Sequence, residues 1–178
     1  MPSSATLVSL RASVLLLSIA ITTLHIFLDT WWSTLRAGCQ SLPSCNVKPF
    51  DQKLTAWRLG IAVGVLGIAS SAGSLAVAFV REKQAVKYWV AIIGVDAMMA
   101  VLFIADAILD TALLLRGVCD AAGPYAAECR QVPAAAVVLY LAFVVTLVAV
   151  VAGVLGCSRA QHRPMGVAKQ MFPDRGLQ

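Results

Sequence analysis

The chain has 178 residues, of which 60% are hydrophobic and only 13% charged, with a mean hydropathy of +0.82. Soluble domains carry about 25% charged residues, so this composition excludes one: only a chain whose solvent is mostly lipid exposes so much apolar surface without aggregating. The net charge of +5 is spread along the chain in no dense run, which excludes a nucleic-acid partner and leaves a weak attraction to anionic headgroups.

A membrane-spanning helix needs roughly 20 mostly apolar residues, and four segments qualify. The first covers about 6–28 ("TLVSLRASVLLLSIAITTLHIFL"). Its only basic residue, Arg11, lies inside the apolar run, the run is long for a signal core, and no small-x-small cleavage pattern follows. It is expected to be a retained helix. "CQSLPSCNVKPFDQK" then supplies proline, asparagine and charge before the second segment, about 57–80.

That second segment is rich in small residues. Gly60-x-x-x-Gly64 and Gly67-x-x-x-Ser71 allow backbones to approach closely, and packing inside the bundle is the expected use. "REKQAVK" separates it from the third segment, about 88–115, by seven residues, which forces an antiparallel hairpin. "RGVCDAAGPYAAECRQVP" leads into the fourth, about 133–156, with Pro133 suited to a first helical turn. Trp31, Trp32, Trp57, Tyr88 and Trp89 fall at the predicted membrane interfaces, where amphipathic rings settle. The expected fold is all-α: an integral-membrane, antiparallel four-helix bundle over residues 1–158, with a cytoplasmic tail at 159–178.

Both termini and the 81–87 loop then share one side, with Arg81, Lys83, Lys87, Arg159, Arg163, Lys169 and Arg175; the other side holds Arg36, Lys48, Lys53, Arg58, Arg116 and Arg130. The positive-inside bias is thin. Cys39, Cys45, Cys119 and Cys129 all fall on the second side, and disulfides persist in oxidising compartments. Cytoplasmic termini follow. Pairing within each loop is the economical connectivity, though four cysteines allow three. Cys157, at the cytoplasmic end of the last segment beside "SRAQHR", is a candidate for S-palmitoylation or an inert buried thiol.

The third segment poses the main question, because it is almost pure hydrocarbon yet carries Asp96, Asp106 and Asp110. At about 100° per residue the three share an arc of about 80°. Ile93, Ala97, Ala100, Phe103 and Ala107 are expected on the opposite, lipid-facing stripe. An ionised carboxylate at mid-bilayer costs at least about 2.5 kcal/mol, so each is expected to turn inward to a partner. Arg11 lies at a depth comparable to Asp96, and either His25 or Arg58 is placed to approach Asp110. The carboxylates are read as structural anchors; a proton or cation relay is the functional alternative, although the fourth segment offers only Tyr140 and Thr146 as further polar groups.

Other chemistry is poorly represented. His25 and His162 are the only histidines, which excludes paired-histidine haem ligation and a histidine-rich metal site; no metal and no cofactor is expected. Asn46 precedes "VK", so it is no glycosylation sequon. Four-helix membrane thiol-disulfide oxidoreductases share the outline of helix hairpins with two cysteine pairs, but depend on a Cys-x-x-Cys motif absent from this chain.

Arg11 early in the first segment, an acid inside the third (Asp96 or Asp106) and "ECRQVPAAAVVLYLAF" opening the fourth resemble the MARVEL-type tetraspans over nearly the whole chain. "WWSTLRAGCQSLPSC" followed by "LTAWRLGIAVGVLG" is similar to the first loop and second helix of claudin-like proteins, but Trp32 lies seven residues before Cys39 and the Gly-Leu-Trp element is missing. The MARVEL-like resemblance implies a plasma-membrane or vesicle-membrane organiser, non-enzymatic, whose partners are the lipid bilayer and either further copies of itself or another membrane protein. A membrane thiol-disulfide oxidoreductase and a small channel or transporter are the competing classes.

Overall fold

The computed structural model describes residues 4–41, 48–80, 85–115 and 131–161, which form four helices: α1 (Ser4–Gln40), α2 (Lys48–Val80), α3 (Ala85–Leu115) and α4 (Gln131–Gln161). All four are long and apolar enough to cross a membrane. The apolar stretches expected at 6–28 and 57–80 sit inside longer helices. With 37 residues α1 is about 55 Å long, well beyond the ~30 Å hydrocarbon core.

Polarity marks where lipid ends, not where a helix ends. Residues 29–40 contain no proline, and their charges find partners on α2. Arg36 Nε donates to Asp51 Oδ1 at 2.7 Å, Arg58 Nε to Asp29 Oδ1 at 3.2 Å, and Lys53 Nζ sits 4.3 Å from the Trp32 ring centroid. Helix α2 starts early for a related reason. Pro49 tolerates a first turn, where its missing N–H is no loss, and Asp51 places negative charge at the positive end of the helix.

The helices pack in a ring, α1 against α2, α2 against α3, α3 against α4 and α4 against α1, so α1/α3 and α2/α4 form the diagonals. Residues buried on every helix recur at seven-residue intervals. On α1 they are Arg11, Ser18, His25, Trp32 and Cys39, interleaved with Val14, Ile21 and Leu28; on α4, Val132, Leu139 and Thr146 alternate with Ala135, Ala142 and Ala149. A seven-residue repeat keeps one seam facing the neighbours when helices cross at about 20°, the common angle in membrane bundles.

Helix α2 carries the same repeat in small residues: Gly60, Gly67 and Ser74, alternating with Trp57, Gly64 and Ser71. A Cβ on Gly60 would fall into the His25 ring, one on Gly64 onto Thr22 Oγ1, and one on Gly67 onto Ser18 Oγ. The three glycines are therefore spent inside the bundle, along α1, with residue numbers falling on one helix as they rise on the other. Lipid-side hydroxyls on α1 are satisfied locally: Thr23 and Thr30 each donate to the carbonyl four residues back, which lets a hydroxyl lie in an apolar medium without a partner helix.

Two apolar clusters form the core. One joins Val14, Ile21, Val63, Met99, Phe103, Ala107, Leu139 and Ala142. The other, toward the end of the bundle where α1 and α2 project, joins Leu28, Trp32, Leu54, Trp57, Val132 and Ala135. Trp32 and Trp57 thus point into the bundle rather than standing at a headgroup belt, because both occupy seam positions of the repeat. Tyr88 is exposed.

The lipid-facing stripe of α3 needs correction. Ala97 is exposed, but Ala100, Phe103 and Ala107 are buried, Phe103 and Ala107 completely, and Ile93 is half-buried. At 100° per residue, Phe103 lies within the aspartate arc and Ala107 only about 20° outside it, so these residues share the inward face with the carboxylates. The outward stripe is Met98, Val101, Ala105 and Ile108.

Candidate functional site

Each of the three helix-3 carboxylates meets a polar residue of α1, across the diagonal of the ring. Arg11 Nη2 donates to Asp96 Oδ2 at 2.8 Å, with 5% and 13% of the two side chains exposed. Two heptads further along α1, His25 Nε2 lies 3.3 Å from Asp110 Oδ2 and 3.8 Å from Asp106 Oδ2. His25, Asp106 and Asp110 are all essentially inaccessible. Arg58, the alternative partner for Asp110, turns outward to Asp29 instead.

Local geometry explains the convergence. Asp106 and Asp110 are four residues apart, so their side chains stand one above the other on a single turn of α3. His25 is held from behind: its Nδ1 is 2.9 Å from the Ile21 carbonyl oxygen, one turn back on α1. Gly60 lets the α2 backbone close over the ring, and the Trp57 ring centroid lies 6.1 Å away. By residue order the cluster sits between the two apolar clusters, with Ile21 and Phe103 on one side and Leu28, Trp57 and Val132 on the other.

The two polar levels are well separated. Asp96 and Asp106 are ten residues apart, about 15 Å along α3, and Met99 and Phe103 fill the interval. Ser18 Oγ, fully buried midway along α1 between Arg11 and His25, makes no hydrogen bond among the described residues, whereas Thr146 donates to the Ala142 carbonyl at 2.7 Å. On the outer surface of α3 and α4, Thr111 and Tyr140 share a 3.2 Å hydrogen bond.

The remaining sequence-derived sites are placed in part. Cys39 is buried and disulfide-bonded. Cys45, Cys119 and Cys129 lie outside the described residues, as does the tail beyond 161, and Cys157 falls in α4 with its side chain also outside them. Ser71, like Gly60, Gly64 and Gly67, faces the bundle interior. His25 approaches Asp110, as one of the two expected partners; that it also faces Asp106 is what sequence reasoning missed. The signal was the seven-residue spacing of Arg11, Ser18 and His25, a polar stripe on the first helix matching the acidic stripe on the third.

Four spans with their intramembrane charges turned inward define a multi-pass, all-helical membrane protein. Compared with protein-family models, curated proteins and solved structures, the chain matches none.

Proposed function

We propose that this protein is a non-enzymatic tetraspan organiser of the MARVEL-like kind, acting by lateral self-association or by association with a membrane partner or lipid. The observation that carries this reading is the sealed state of the polar core. His25, Asp106 and Asp110 are at most 1% exposed, and Met99 and Phe103 lie between them and the Arg11–Asp96 pair, with the Ser18 hydroxyl a polar group midway. A transport path needs polar groups within hydrogen-bond reach of one another, whereas these levels stand about 15 Å apart. The carboxylates hold helices together and leave the outer surfaces to act by contact.

Two surfaces are available for that contact. One is the apolar exterior of α3 and α4, including Met98, Val101, Ile108, Leu141, Val148 and Val151. The other is the projecting end of α1 and α2, braced by the Arg36–Asp51 and Arg58–Asp29 pairs. The opposed order of contacts between α1 and α2 supports an antiparallel bundle, and this reading puts both termini in the cytoplasm and the bundle in the plasma membrane or a vesicle membrane. The bonded Cys39 supports an oxidising environment around the projecting end, with Cys39–Cys45 and Cys119–Cys129 as the pairs this reading assigns.

Blue-native sizing in a mild detergent, with and without reductant, together with cross-linking in intact membranes, tests the proposal. A discrete species larger than one 18.8 kDa chain, shifted or dissociated by reductant, is expected. A chain that stays monomeric in detergent and forms no cross-linked product in the membrane overturns it.

A further inference from the structure

The hydrogen bond behind His25 fixes which ring nitrogen faces the acids. A carbonyl oxygen only accepts, so the 2.9 Å contact with Ile21 places a hydrogen on Nδ1. In the neutral ring the Nε2 lone pair is then directed at two carboxylates. Neither Nε2 nor any of the four oxygens of Asp106 and Asp110 makes a hydrogen bond among the described residues. One ligand atom from each residue lies within 4.8 Å of the other two. Three buried acceptor atoms so close together repel one another unless positive charge sits between them.

The spacing says what kind of charge fits. The separations from Nε2 are 3.3 Å to Asp110 and 3.8 Å to Asp106, the first at the long edge of an N–H···O hydrogen bond and the second beyond it. Ligand atoms held about 2.0–2.2 Å from a tetrahedral Zn2+ stand about 3.3–3.6 Å apart, a spacing that the 3.3 Å separation meets and that a small inward shift of Asp106, now at 3.8 Å, would complete. Two carboxylates and a neutral imidazole together carry two negative charges, which one divalent cation balances. The Nδ1–H to backbone-carbonyl bond is the arrangement that orients a metal-ligating histidine from its outer side.

We propose that His25, Asp106 and Asp110 bind one divalent first-row transition cation, with Zn2+ the best fit, in a closed structural site that ties α1 to α3 across the bundle. One nitrogen and one oxygen from each carboxylate supply three ligands, and bidentate binding by either carboxylate supplies the fourth. The burial of all three residues leaves no position open to substrate, which separates the site from hydrolytic zinc centres. Counting histidines predicts no metal, but one histidine with two acids on consecutive turns is a sufficient donor set. The inference is independent of oligomerisation: it stands on the donor geometry and holds for a monomer equally.

Protons are the competing counter-charge, one on Nε2 and one shared by the carboxylates. Metal content separates the two. The full chain, carrying an affinity tag without histidine and purified in mild detergent without chelator, is analysed by plasma mass spectrometry. About one equivalent of a first-row divalent metal per chain is expected. It should resist brief EDTA treatment of the folded protein and be released when EDTA is present during unfolding. Refolding with Co2+ should give the intense visible absorption of a tetrahedral Co2+ centre. His25→Gln and Asp110→Asn should each lower retained metal at least about tenfold, while Asp51→Asn, on the exposed surface, should retain it.

Less than about half an equivalent, both as purified and after refolding with excess Zn2+ or Mn2+, overturns the proposal. So does stoichiometric metal that persists in folded Asp106→Asn/Asp110→Asn protein, since the ion then lies elsewhere. If the variants do not fold, the wild-type content and the Co2+ spectrum decide alone.

Discussion

Replacing Arg11 with leucine isolates the energetic logic of the bundle. The guanidinium and the Asp96 carboxylate meet at 2.8 Å and are almost entirely withdrawn from solvent. Deleting one partner of such a pair leaves an uncompensated charge and costs about 3–5 kcal/mol; the insertion cost of a lone charge at the centre of a membrane helix, about 2.5–3.5 kcal/mol, is of the same size. Removing both charges is different, because replacing a buried ion pair by apolar side chains is neutral or even stabilising. Arg11→Leu and Asp96→Leu should therefore each destabilise by about 3 kcal/mol, and the double variant by much less than their sum. The resulting coupling is about 2 kcal/mol or more, near the upper end for residues in direct contact. Reversible unfolding by SDS in bicelles, followed through the fluorescence of the buried Trp32 and Trp57, measures all four corners of the cycle. A double variant whose loss equals the sum of the single losses would refute the reasoning.

Further outcomes test other parts of the structure. Gly64→Leu and Gly67→Leu should push α2 away from α1 and cost about 1–3 kcal/mol or more by overpacking, whereas Gly73→Ala, whose Cβ meets open space, should leave the SDS midpoint unchanged. Asp106→Asn should leave proton and cation flux into proteoliposomes indistinguishable from protein-free vesicles, as for the wild type; a wild-type flux abolished by this substitution in folded protein would favour a transporter. Arg58→Ala removes an ion pair in which the arginine is largely exposed, so the loss should stay within about 1 kcal/mol in the same unfolding assay.

Much of this architecture was legible in the residues. Hydropathy alone delimited four spans, and the cost of intramembrane charge directed the aspartates inward and paired Arg11 with Asp96. The glycines of the second segment announced close packing, which the α1–α2 interface uses. Helix ends were less legible, because charge density marks the edge of lipid while the backbone continues until proline, glycine or a loop stops it. The lipid-facing stripe of α3 was misassigned by neglect of the helical wheel: Phe103 is buried between the acids. Tryptophans at the apparent membrane edge suggested a headgroup belt, yet Trp32 shares its face with Arg11, Ser18 and His25 at intervals of seven, which put it in the core. A seven-residue search of the first segment would have found both the tryptophan and the histidine hub.

The central claim is that the helix-3 carboxylates are answered by α1 from across the bundle, and His25 offers the most direct measurement. The chain has two histidines, so His162→Gln leaves a single imidazole to label with 15N, alongside 13C-carboxyl aspartate, in protein reconstituted into bilayers. Solid-state dipolar recoupling should show the Nε2 of His25 coupled to two aspartate carboxyl carbons, each one C–O bond beyond the oxygens that lie 3.3 Å and 3.8 Å from the nitrogen. One coupling should vanish in Asp106→Asn and the other in Asp110→Asn. A His25 ring with no carboxyl within reach in the bilayer would contradict the account.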